Sequence, residues 1–350
     1  MIVAGDVAIA DGDTFRFEDF PQGIRTKSWL LNLEGAIAQE STVKPAWGTW
    51  NSSEWRQSFE GFSLGPVFVG NNHIHDIPNG ILLTRDTLCK QGIQVFGAGE
   101  DDREASRAVL VKAGRQPYAF IGFGWPVIGC LPSGSDLQGV NRLEGNSARQ
   151  LVGQALEDSR EARVVAIIHG NYEFERYPQP AHRSLARQLI DLGAYAVIFH
   201  HPHVVGPVER YRGRTIVYSV GNWAFSFGRF FAGRLKFPQS SFHQVAVELG
   251  NDGDHVHHAL FEPPTTVRYK SSERVDSDTL TLRAAFEGFD DDAYLDWFRR
   301  NRIKRRGLPI YTDPDDSSAN RLKDMWVGLR QQIIDAGAKS GLKSMRRRSR

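Results

Sequence analysis

The sequence contains little cysteine and no strong excess of either charge. Its two cysteines, Cys89 and Cys130, stand alone in 350 residues and do not form the paired spacing of a zinc or redox motif. A disulfide framework is therefore excluded, which favours a reducing compartment. The 43 basic and 41 acidic residues leave a formal net charge of +2. A balance this close gives no general attraction to nucleic acid, so we expect no nucleic-acid partner.

Long hydrophobic runs and internal repeats are also absent. No stretch approaches the roughly 20 apolar residues that cross a bilayer. The first residues, MIVAGD, lead directly into a predicted core strand, without the pattern of a signal peptide. The lack of repeats excludes solenoid and propeller architectures. These features predict a cytoplasmic protein, and 41% hydrophobic residues suffice for a sizeable core.

Short aliphatic runs alternate with amphipathic segments along the first two thirds of the chain. Apolar runs without strict alternation are typical of strands that are covered on both faces. Helical spacing appears in Asn79–Gln91 and in Ser184–Leu192, and a glycine follows each segment. This alternation predicts a layered α/β domain. The predicted strands are Met1–Ala4, Trp29–Leu33, Val67–Val69, Tyr118–Phe123, Val164–Ile168, Ala194–Phe199 and Thr215–Tyr218.

The last part of the chain is more polar and more charged. We predict a main domain over residues 1–270, a helical appendage over 275–340 and a disordered basic tail over 341–350. Ala293–Arg302 and Asn320–Ala336 are the predicted helices of the appendage. The last twelve residues, KSGLKSMRRRSR, contain six basic residues and no acid. Such a segment is usually a solvated end, but together with Met325–Ala336 it also predicts a peripheral contact with an anionic membrane.

Polar side chains with ligand chemistry follow several predicted strands. Each one has an ordinary explanation as a helix cap, a turn residue or a hydrogen-bonded histidine. Taken together they are the oxygen and nitrogen ligands that suit Zn²⁺, Mn²⁺ or Fe. Open α/β sheets bind ligands at this end of their strands. The clusters are Asp6, Asn32-Leu33-Glu34, Asn71-Asn72-His73 with Asp76, His169, and His200-His201-Pro202-His203.

The spacing of His201 and His203 suggests a site with two metal ions. In an extended segment alternate side chains lie on one face, so both imidazoles can reach the same site. The carboxylate of Glu34 has two oxygens and a charge that offsets the repulsion between two cations. Two ions about 3.5–4 Å apart can activate a water molecule and hold a phosphoryl oxygen.

Residues 169–226, from HGNYEFERYPQP to HHPHVVGPVERYRGRTIVYSVGNWAFS, resemble the CapA-type family. This family comprises bacterial poly-γ-glutamate capsule-synthesis proteins of the calcineurin-like metallophosphoesterase superfamily. GDVA, NLEG, NNHIHD, GILLTRDTL and GAGED follow in the order of the family, and the resemblance covers about residues 1–265. It implies a four-layer αββα metallophosphoesterase-like sandwich with a C-terminal helical appendage.

The resemblance also implies roles for individual residues around two divalent ions, Mn, Zn or Fe. Asp6 and His203 would hold one ion, and Glu34 would bridge it to the second. Asn72, His169 and His201 would complete the second site. The implied general acid is His73, paired with Asp76. Other residues implied to line or support the site are Asn32, Asn71, Glu173, His200 and Asn222.

Three positions depart from the pattern of the family. Ala8 stands where the wider superfamily has a histidine ligand, which predicts weaker binding of the ion held by Asp6 and His203. Gly170-Asn171 replaces an aromatic-glycine pair, and Phe199 replaces the usual glycine before the paired histidines.

The function expected from this resemblance is that of a metal-dependent, phosphoesterase-like hydrolase in capsule or exopolysaccharide biosynthesis of the poly-γ-glutamate type. The predicted chemistry is metal-hydroxide hydrolysis of a small-molecule or polymer-linked substrate, with His73 protonating the leaving group. One alternative is a metal-dependent epimerase that uses histidine bases. Another is a non-catalytic accessory of a polymer-synthesis complex. The sequence does not predict an oligomeric state.

Overall fold

The computed structural model of the chain describes residues 1–303 and 307–339. Its strands are β1 (Ile2–Ala8), β2 (Arg16–Glu18), β3 (Ser28–Leu33), β4 (Ala36–Ala38), β5 (Trp50–Ser52), β6 (Ser63–Phe68), β7 (Val95–Phe96), β8 (Ala98–Gly99), β9 (Val109–Ala113), β10 (Gln116–Gly124), β11 (Gly139–Val140), β12 (Arg163–His169), β13 (Ala196–His200), β14 (Val208–Tyr211), β15 (Arg214–Val217), β16 (Asn222–Phe225), β17 (His243–Glu248), β18 (His255–Glu262) and β19 (Thr266–Arg274). Its α-helices are α1 (Gln22–Arg25), α2 (Gly80–Lys90), α3 (Asp102–Ala105), α4 (Gly145–Asp158), α5 (Pro180–Leu192), α6 (Asp291–Asn301) and α7 (Ser318–Lys339).

Two mixed sheets form the centre of the fold. The first has the strand order β2-β19-β18-β17-β1-β3-β6-β7, with β16 also paired to β1. Its strands β1, β3, β6 and β7 are parallel, whereas β17, β18 and β19 join as antiparallel neighbours. The second sheet has the order β14-β15-β13-β12-β10-β9, and its four inner strands are parallel. In both sheets the parallel strands direct their carboxyl ends toward the same edge.

The two sheets pack face to face, and helices cover both outer faces. The layer between the sheets is apolar and includes Val3 and Phe68 from the first sheet and Ile167 and Ile198 from the second. The outer face of the second sheet packs against α4, α5 and α6. The outer face of the first sheet packs against α2 and several loops. This arrangement confirms the predicted four-layer αββα sandwich.

The strands and helices named from the sequence are all present, within a few residues of their predicted bounds. Among the elements that were not predicted are the antiparallel strands β17 and β19 and the helix α4. Gln244 and His257 interrupt the apolar pattern around β17 and β18, although both are buried. In α4 the buried positions are small, with Ala148 and Ala155 among them. Small or polar core residues give a weak periodic signal.

Helix α6 packs against α5 on the outer face of the second sheet. Tyr294 and Phe298 of α6 are buried in the apolar cluster that also contains Leu189 of α5. The Tyr294 hydroxyl donates a hydrogen bond to the Pro178 carbonyl at 2.7 Å. The boundaries predicted at residues 270 and 275 remain a prediction, and the predicted basic tail, 341–350, lies outside the described residues. Among the helices described, none is long and apolar enough to cross a membrane.

Candidate metal centre

The register of the first sheet places three polar side chains side by side. Asp6 in β1 is paired with Asn32 of β3 on one side and with Asn222 of β16 on the other. Asp6 also donates its backbone N–H to the Gly221 carbonyl at 2.9 Å. This close approach requires glycine at position 5, because a Cβ there would lie 2.2 Å from the Gly221 oxygen. The motifs GDVA and GNW therefore meet at one point of the sheet edge.

The second sheet brings histidines to the same edge. His169 and His200 are the last residues of β12 and β13 and lie opposite each other in register. His201 and His203 follow in a turn in which both residues have a positive φ, 94° and 57° respectively. The prediction that an extended segment directs both imidazoles into the site was therefore wrong in its geometry. Instead, positive φ angles at His201 and His203 direct both imidazoles into the site. Each such residue costs about 1–3 kcal/mol.

Glu34 lies at the centre of these side chains and is fully buried. Neither of its carboxylate oxygens has a hydrogen-bond partner among the described residues. Burial, together with the nearby charge of Asp6, holds the pKa of the Glu34 carboxyl well above its usual range. A buried carboxylate without donors is unfavourable in a protein unless a cation compensates its charge.

Two groups of side chains share Glu34 and have the chemistry of a metal site. One consists of Asp6, Glu34 and His203, and the other of Glu34, His169 and His201. Within each group the candidate ligand atoms lie within 4.8 Å of one another. These are the residues that the family resemblance assigns to the two ions. Asn72, assigned to the second ion, has its Oδ1 atom 2.8 Å from Nε2 of His169.

Burial favours the neutral form of the two imidazoles of the second group, which is the form that binds metals. Burial, reinforced by the charges of neighbouring histidines, lowers the pKa of His169 and of His201 well below their usual values. Nδ1 of His201 has no hydrogen-bond partner among the described residues. In the first group, Nδ1 of His203 lies 2.9 Å from Oδ1 of Asn222, which fixes the orientation of the ring.

Several predicted site residues support the candidate ligands rather than join them. His200 places Nδ1 2.9 Å from Oδ1 of Asp6, and Asn32 donates to the same oxygen at 2.8 Å. Burial opposes ionisation of Asp6, but the hydrogen bond and charge of His200 and the charge of His203 outweigh it, so the pKa of Asp6 lies below its usual value. Asn71 donates to Oδ1 of Asn32 at 3.2 Å.

Glu173, the remaining predicted residue, is partly exposed on the segment after β12. Its charge contributes to the raised pKa of Glu34, after burial and the charge of Asp6.

His73 and Asp76 form a separate pair at the mouth of the centre. Nδ1 of His73 lies 2.7 Å from Oδ2 of Asp76, and that oxygen also accepts the backbone N–H of Thr49 at 2.8 Å. An ionised carboxylate only accepts hydrogen bonds, so Nδ1 of His73 is the donor. The opposite ring atom, Nε2, lies 3.8 Å from Oε1 of Glu34 and faces the centre.

Ala8, at the position of the missing histidine, is buried in an apolar cluster with Ala10, Phe225 and Phe230. Phe225 in turn packs against the ring of His203, with 5.3 Å between ring centroids. The side of the centre that would have held another ligand is therefore closed by hydrocarbon.

Aromatic residues around the centre were missed from the sequence. Phe231 packs edge-on to His73 at 5.5 Å, and Phe237 packs against His203 at 5.3 Å. Phe174 lies beside Phe237, with 5.6 Å between ring centroids. The signal that could have revealed them is the density of phenylalanine in the loop FSFGRFFAGRLKF, residues 225–237.

A comparison with protein families identifies the chain. Residues 26–226 match the family described as "Bacterial capsule synthesis protein PGA_cap". The chain belongs to this family. The matched residues contain Glu34, His169, His201 and His203, whereas Asp6 lies before them. The CapA-type resemblance predicted from the sequence is thereby confirmed.

Curated members related to this PGA_cap chain include two proteins of Bacillus. The PGA biosynthesis protein CapA of Bacillus subtilis (strain 168) is 30% identical over 45% of this chain and 42% of its own length. The capsule biosynthesis protein CapA of Bacillus anthracis is 24% identical over 46% of this chain and 40% of its own. The chain thus spans less than half the length of the curated relatives it matches.

The solved structures share less sequence identity with this PGA_cap chain than the two Bacillus proteins do. A hypothetical protein from Thermus thermophilus aligns over 78% of this chain and 96% of its own, with 16% identity and a TM-score of 0.42. A putative 5'-nucleotidase from Staphylococcus aureus aligns over 68% and 43%, with 14% identity and a TM-score of 0.35.

Proposed function

We propose that this chain is a metal-dependent hydrolase that cleaves a phosphoester in the assembly of a capsule polymer. The observation that carries the proposal is the buried carboxylate of Glu34, which is shared by two groups of candidate ligands and has no hydrogen-bond donor of its own among the described residues. Family membership supports the link to capsule synthesis.

The donor set fits divalent ions of the Mn, Zn or Fe type. Asp6, Glu34 and His203 would hold one ion, and Glu34, His169 and His201 the other, with Asn72 beside His169. When bound, two such ions supply an activated water and stabilise negative charge on a phosphoryl oxygen. His200 and Asn222 would hold Asp6 and His203 in position through the hydrogen bonds described above, as supporting residues of metal sites commonly do.

We assign His73 as the general acid that protonates the leaving group. Its Nδ1–H is held by Asp76, so the ring presents Nε2 to the centre beside Glu34. A proton on Nε2 can pass to the oxygen that leaves phosphorus, which is general-acid catalysis. The ring of Phe231 packs on His73 and limits its rotation.

Hydrolysis of simple phosphoesters tests the proposal. Purified protein incubated with Mn²⁺ or Zn²⁺ should hydrolyse a nitrophenyl phosphodiester or monoester, and the variants His201→Ala and Asp6→Ala should lose most of this activity. His255→Ala is a matched control, because His255 begins β18, which pairs with the end of β17 far from Asp6. Equal activity of His201→Ala and the unaltered protein would contradict the proposal.

A non-catalytic accessory role is the second candidate, and the apolar cluster at Ala8 favours it. That cluster leaves the group of Asp6, Glu34 and His203 without a further histidine. A relative from Mycobacterium tuberculosis, 29% identical over 44% of this chain and 43% of its own length, is named "Probable polyglutamine synthesis accessory protein". Metal analysis separates the candidates: less than one ion per chain, together with no hydrolysis of either ester, would favour the accessory role.

A further inference from the structure

The α7 helix exposes a continuous apolar stripe. Its five large apolar side chains are each between 53% and 72% exposed: Leu322, Met325, Trp326, Leu329 and Ile333. Their spacing of three or four residues places them on one face, within an arc of about 100° around the helix axis. Scattered exposed apolar residues are common on protein surfaces, but an ordered stripe of this kind marks a contact surface.

The opposite face of α7 is the one that packs against the protein. Val327 is 7% exposed, and Asp324 accepts a hydrogen bond from the Tyr311 hydroxyl at 2.7 Å. Asn320 donates to the Asp313 carbonyl at 2.9 Å. The helix is thus held through one side, and Trp326 at the edge of the stripe also donates its Nε1–H to the Gly307 carbonyl at 2.8 Å. Leu322, Met325, Leu329 and Ile333 face away from the fold.

Charged residues are arranged around the stripe in an ordered way. Arg321 lies beyond one border of the stripe, where it pairs with Asp316 at 3.1 Å, and Lys323 and Arg330 lie beyond the other, each within about 60° of it around the helix. The Lys323 ammonium lies 5.3 Å from the centroid of the Tyr311 ring. The carboxylate of Asp324 lies on the packed face. Residues 339–350 then add six basic residues and no acid, although 340–350 lie outside the described part of the chain.

We propose that the apolar stripe of α7 and the basic residues that flank it bind the surface of an anionic lipid bilayer. An amphipathic helix with basic borders lies in the plane of the interface, with its apolar side chains below the headgroups and its long cationic side chains at their level. Trp326 suits this position, because indole rings favour the boundary between headgroups and hydrocarbon. The basic residues add attraction to anionic lipid.

The charges favour a bilayer over a second copy of this chain. Pairing two α7 helices through their stripes would bring Arg321, Lys323 and Arg330 of each copy close to the same residues of the other. Like charges at such a seam are unfavourable, whereas an anionic lipid surface complements them.

Vesicle co-sedimentation of the full chain tests this proposal. We expect binding to phosphatidylcholine vesicles that contain about one third phosphatidylglycerol, and at least about tenfold weaker binding to phosphatidylcholine alone. The double variant Leu329→Glu with Ile333→Glu should weaken binding to the anionic vesicles by at least about tenfold. Leu110→Glu with Leu137→Glu is the matched control, since both side chains are exposed, 53% and 60%, on other elements. It should bind as the unaltered protein does.

Three outcomes would overturn the proposal. The first is the absence of binding to anionic vesicles. The second is equal binding by the stripe variant and the unaltered protein, which would assign the attraction to the basic residues alone. The third is a dimer in sedimentation velocity that the stripe variant abolishes, in a protein that does not bind vesicles, since this would identify a second copy as the occupant. Circular dichroism of each variant, unchanged from that of the unaltered protein, establishes that loss of binding is not loss of folding.

Discussion

Nε2 of His203 lies 3.6 Å from Oε1 of Glu34, with both side chains buried and no hydrogen bond between them. Two atoms that bind the same ion, each about 2.0–2.2 Å from it, are separated from one another by a distance similar to this 3.6 Å. In a site built for a direct ion pair the two atoms would be closer and would share a proton. The spacing instead suits a cation held between them, and this relationship leads to the first prediction.

Glu34→Gln should abolish stabilisation of the protein by divalent metal. In the unaltered protein, metal at about 100 times its dissociation constant adds about 2.7 kcal/mol to the free energy of unfolding. The amide removes the charge that both groups share, so we expect little or no rise in melting temperature with Mn²⁺ or Zn²⁺. In the presence of a chelator the variant should melt at or above the temperature of the unaltered protein, because it buries no unpaired carboxylate.

The control for this prediction is Glu173→Gln, which changes a nearby carboxylate that belongs to neither group. It should retain the metal-dependent rise in melting temperature measured by differential scanning calorimetry. A full metal-dependent rise in Glu34→Gln would show that the shared carboxylate does not bind the ion.

His73→Asn should impair hydrolysis in a way that depends on the leaving group. A nitrophenolate leaves without needing a proton, whereas an alkoxide needs one, so the loss in kcat should be small for nitrophenyl esters and about 10²–10⁴-fold for alkyl esters. Steady-state kinetics on both ester types measures this difference. Asp76→Asn should show the same dependence with a smaller loss, since it removes only the acceptor for Nδ1 of His73. An equal loss on both ester types would contradict a general-acid role.

The layered fold could be predicted because its signals are local. Apolar runs such as Val164–Ile168 form strands buried on both faces, and segments such as Ser184–Leu192 show helical spacing. The candidate ligands could be named because they follow strands whose carboxyl ends meet at one sheet edge, and because the motifs resemble a known family. Local pattern and resemblance therefore sufficed for the architecture and for the identity of the ligand residues.

The geometry of the histidine turn could not be predicted, because it depends on contacts distant in sequence. The His201 backbone N–H donates to Oδ2 of Asp6 at 3.3 Å, across 195 residues of chain, and His203 takes its orientation from Asn222. Phe231 and Phe237, which pack against His73 and His203, belong to a loop without regular periodicity. The histidine turn has no local sequence signal, and the aromatic residues have only the density of phenylalanine in residues 225–237.

Ala8→His should destabilise the protein rather than restore a ligand. Ala8 is fully buried, and its neighbour in the β1–β16 register is Phe225. A larger, polar ring in this apolar cluster should lower the free energy of unfolding by about 1–3 kcal/mol. Urea denaturation in the presence of a chelator measures this loss. Unchanged stability together with tighter metal binding would show that the cluster can open and that the missing ligand is easily regained.

Glu209→Ala should be among the most destabilising substitutions outside the centre. Glu209 is fully buried, and Arg183, also fully buried, donates to it at 2.9 and 3.2 Å. Arg183 also donates to the Phe289 carbonyl at 2.9 Å, which ties the segment before α6 to α5. Removing the carboxylate leaves the buried guanidinium with only the exposed Asp291, 4.0 Å away, as an ion-pair partner among the described residues, at a cost of about 3–5 kcal/mol.

Asp296→Ala is the control for Glu209→Ala. Asp296 pairs with Arg299 on the exposed face of α6, where a salt bridge contributes less than about 1 kcal/mol. A loss for Glu209→Ala no larger than that of this control, measured by urea denaturation, would show that the buried network contributes little to stability.

Glu248 should make the stability of the first sheet depend on pH. Although burial opposes its ionisation, hydrogen bonds from His257 and Lys27 lower the pKa of Glu248 to about 2. In the unfolded chain the carboxyl of Glu248 has a pKa of about 4.3, so the folded state holds this proton less tightly than the unfolded state does. The stabilisation is therefore complete above about pH 5 and is lost as the pH falls toward about 2.

The variant Glu248→Gln isolates this contribution. Near neutral pH it should lower the free energy of unfolding by about 1–2 kcal/mol, less than the full pKa difference implies, because the Lys27 partner is 41% exposed and solvent screens it. The difference between variant and unaltered protein should shrink as urea denaturation is repeated from about pH 6 down to about pH 3. Glu60→Gln, at an exposed position, should show no such trend. A difference that stays constant over this range would mean that Glu248 stabilises the strand by packing rather than by its charge.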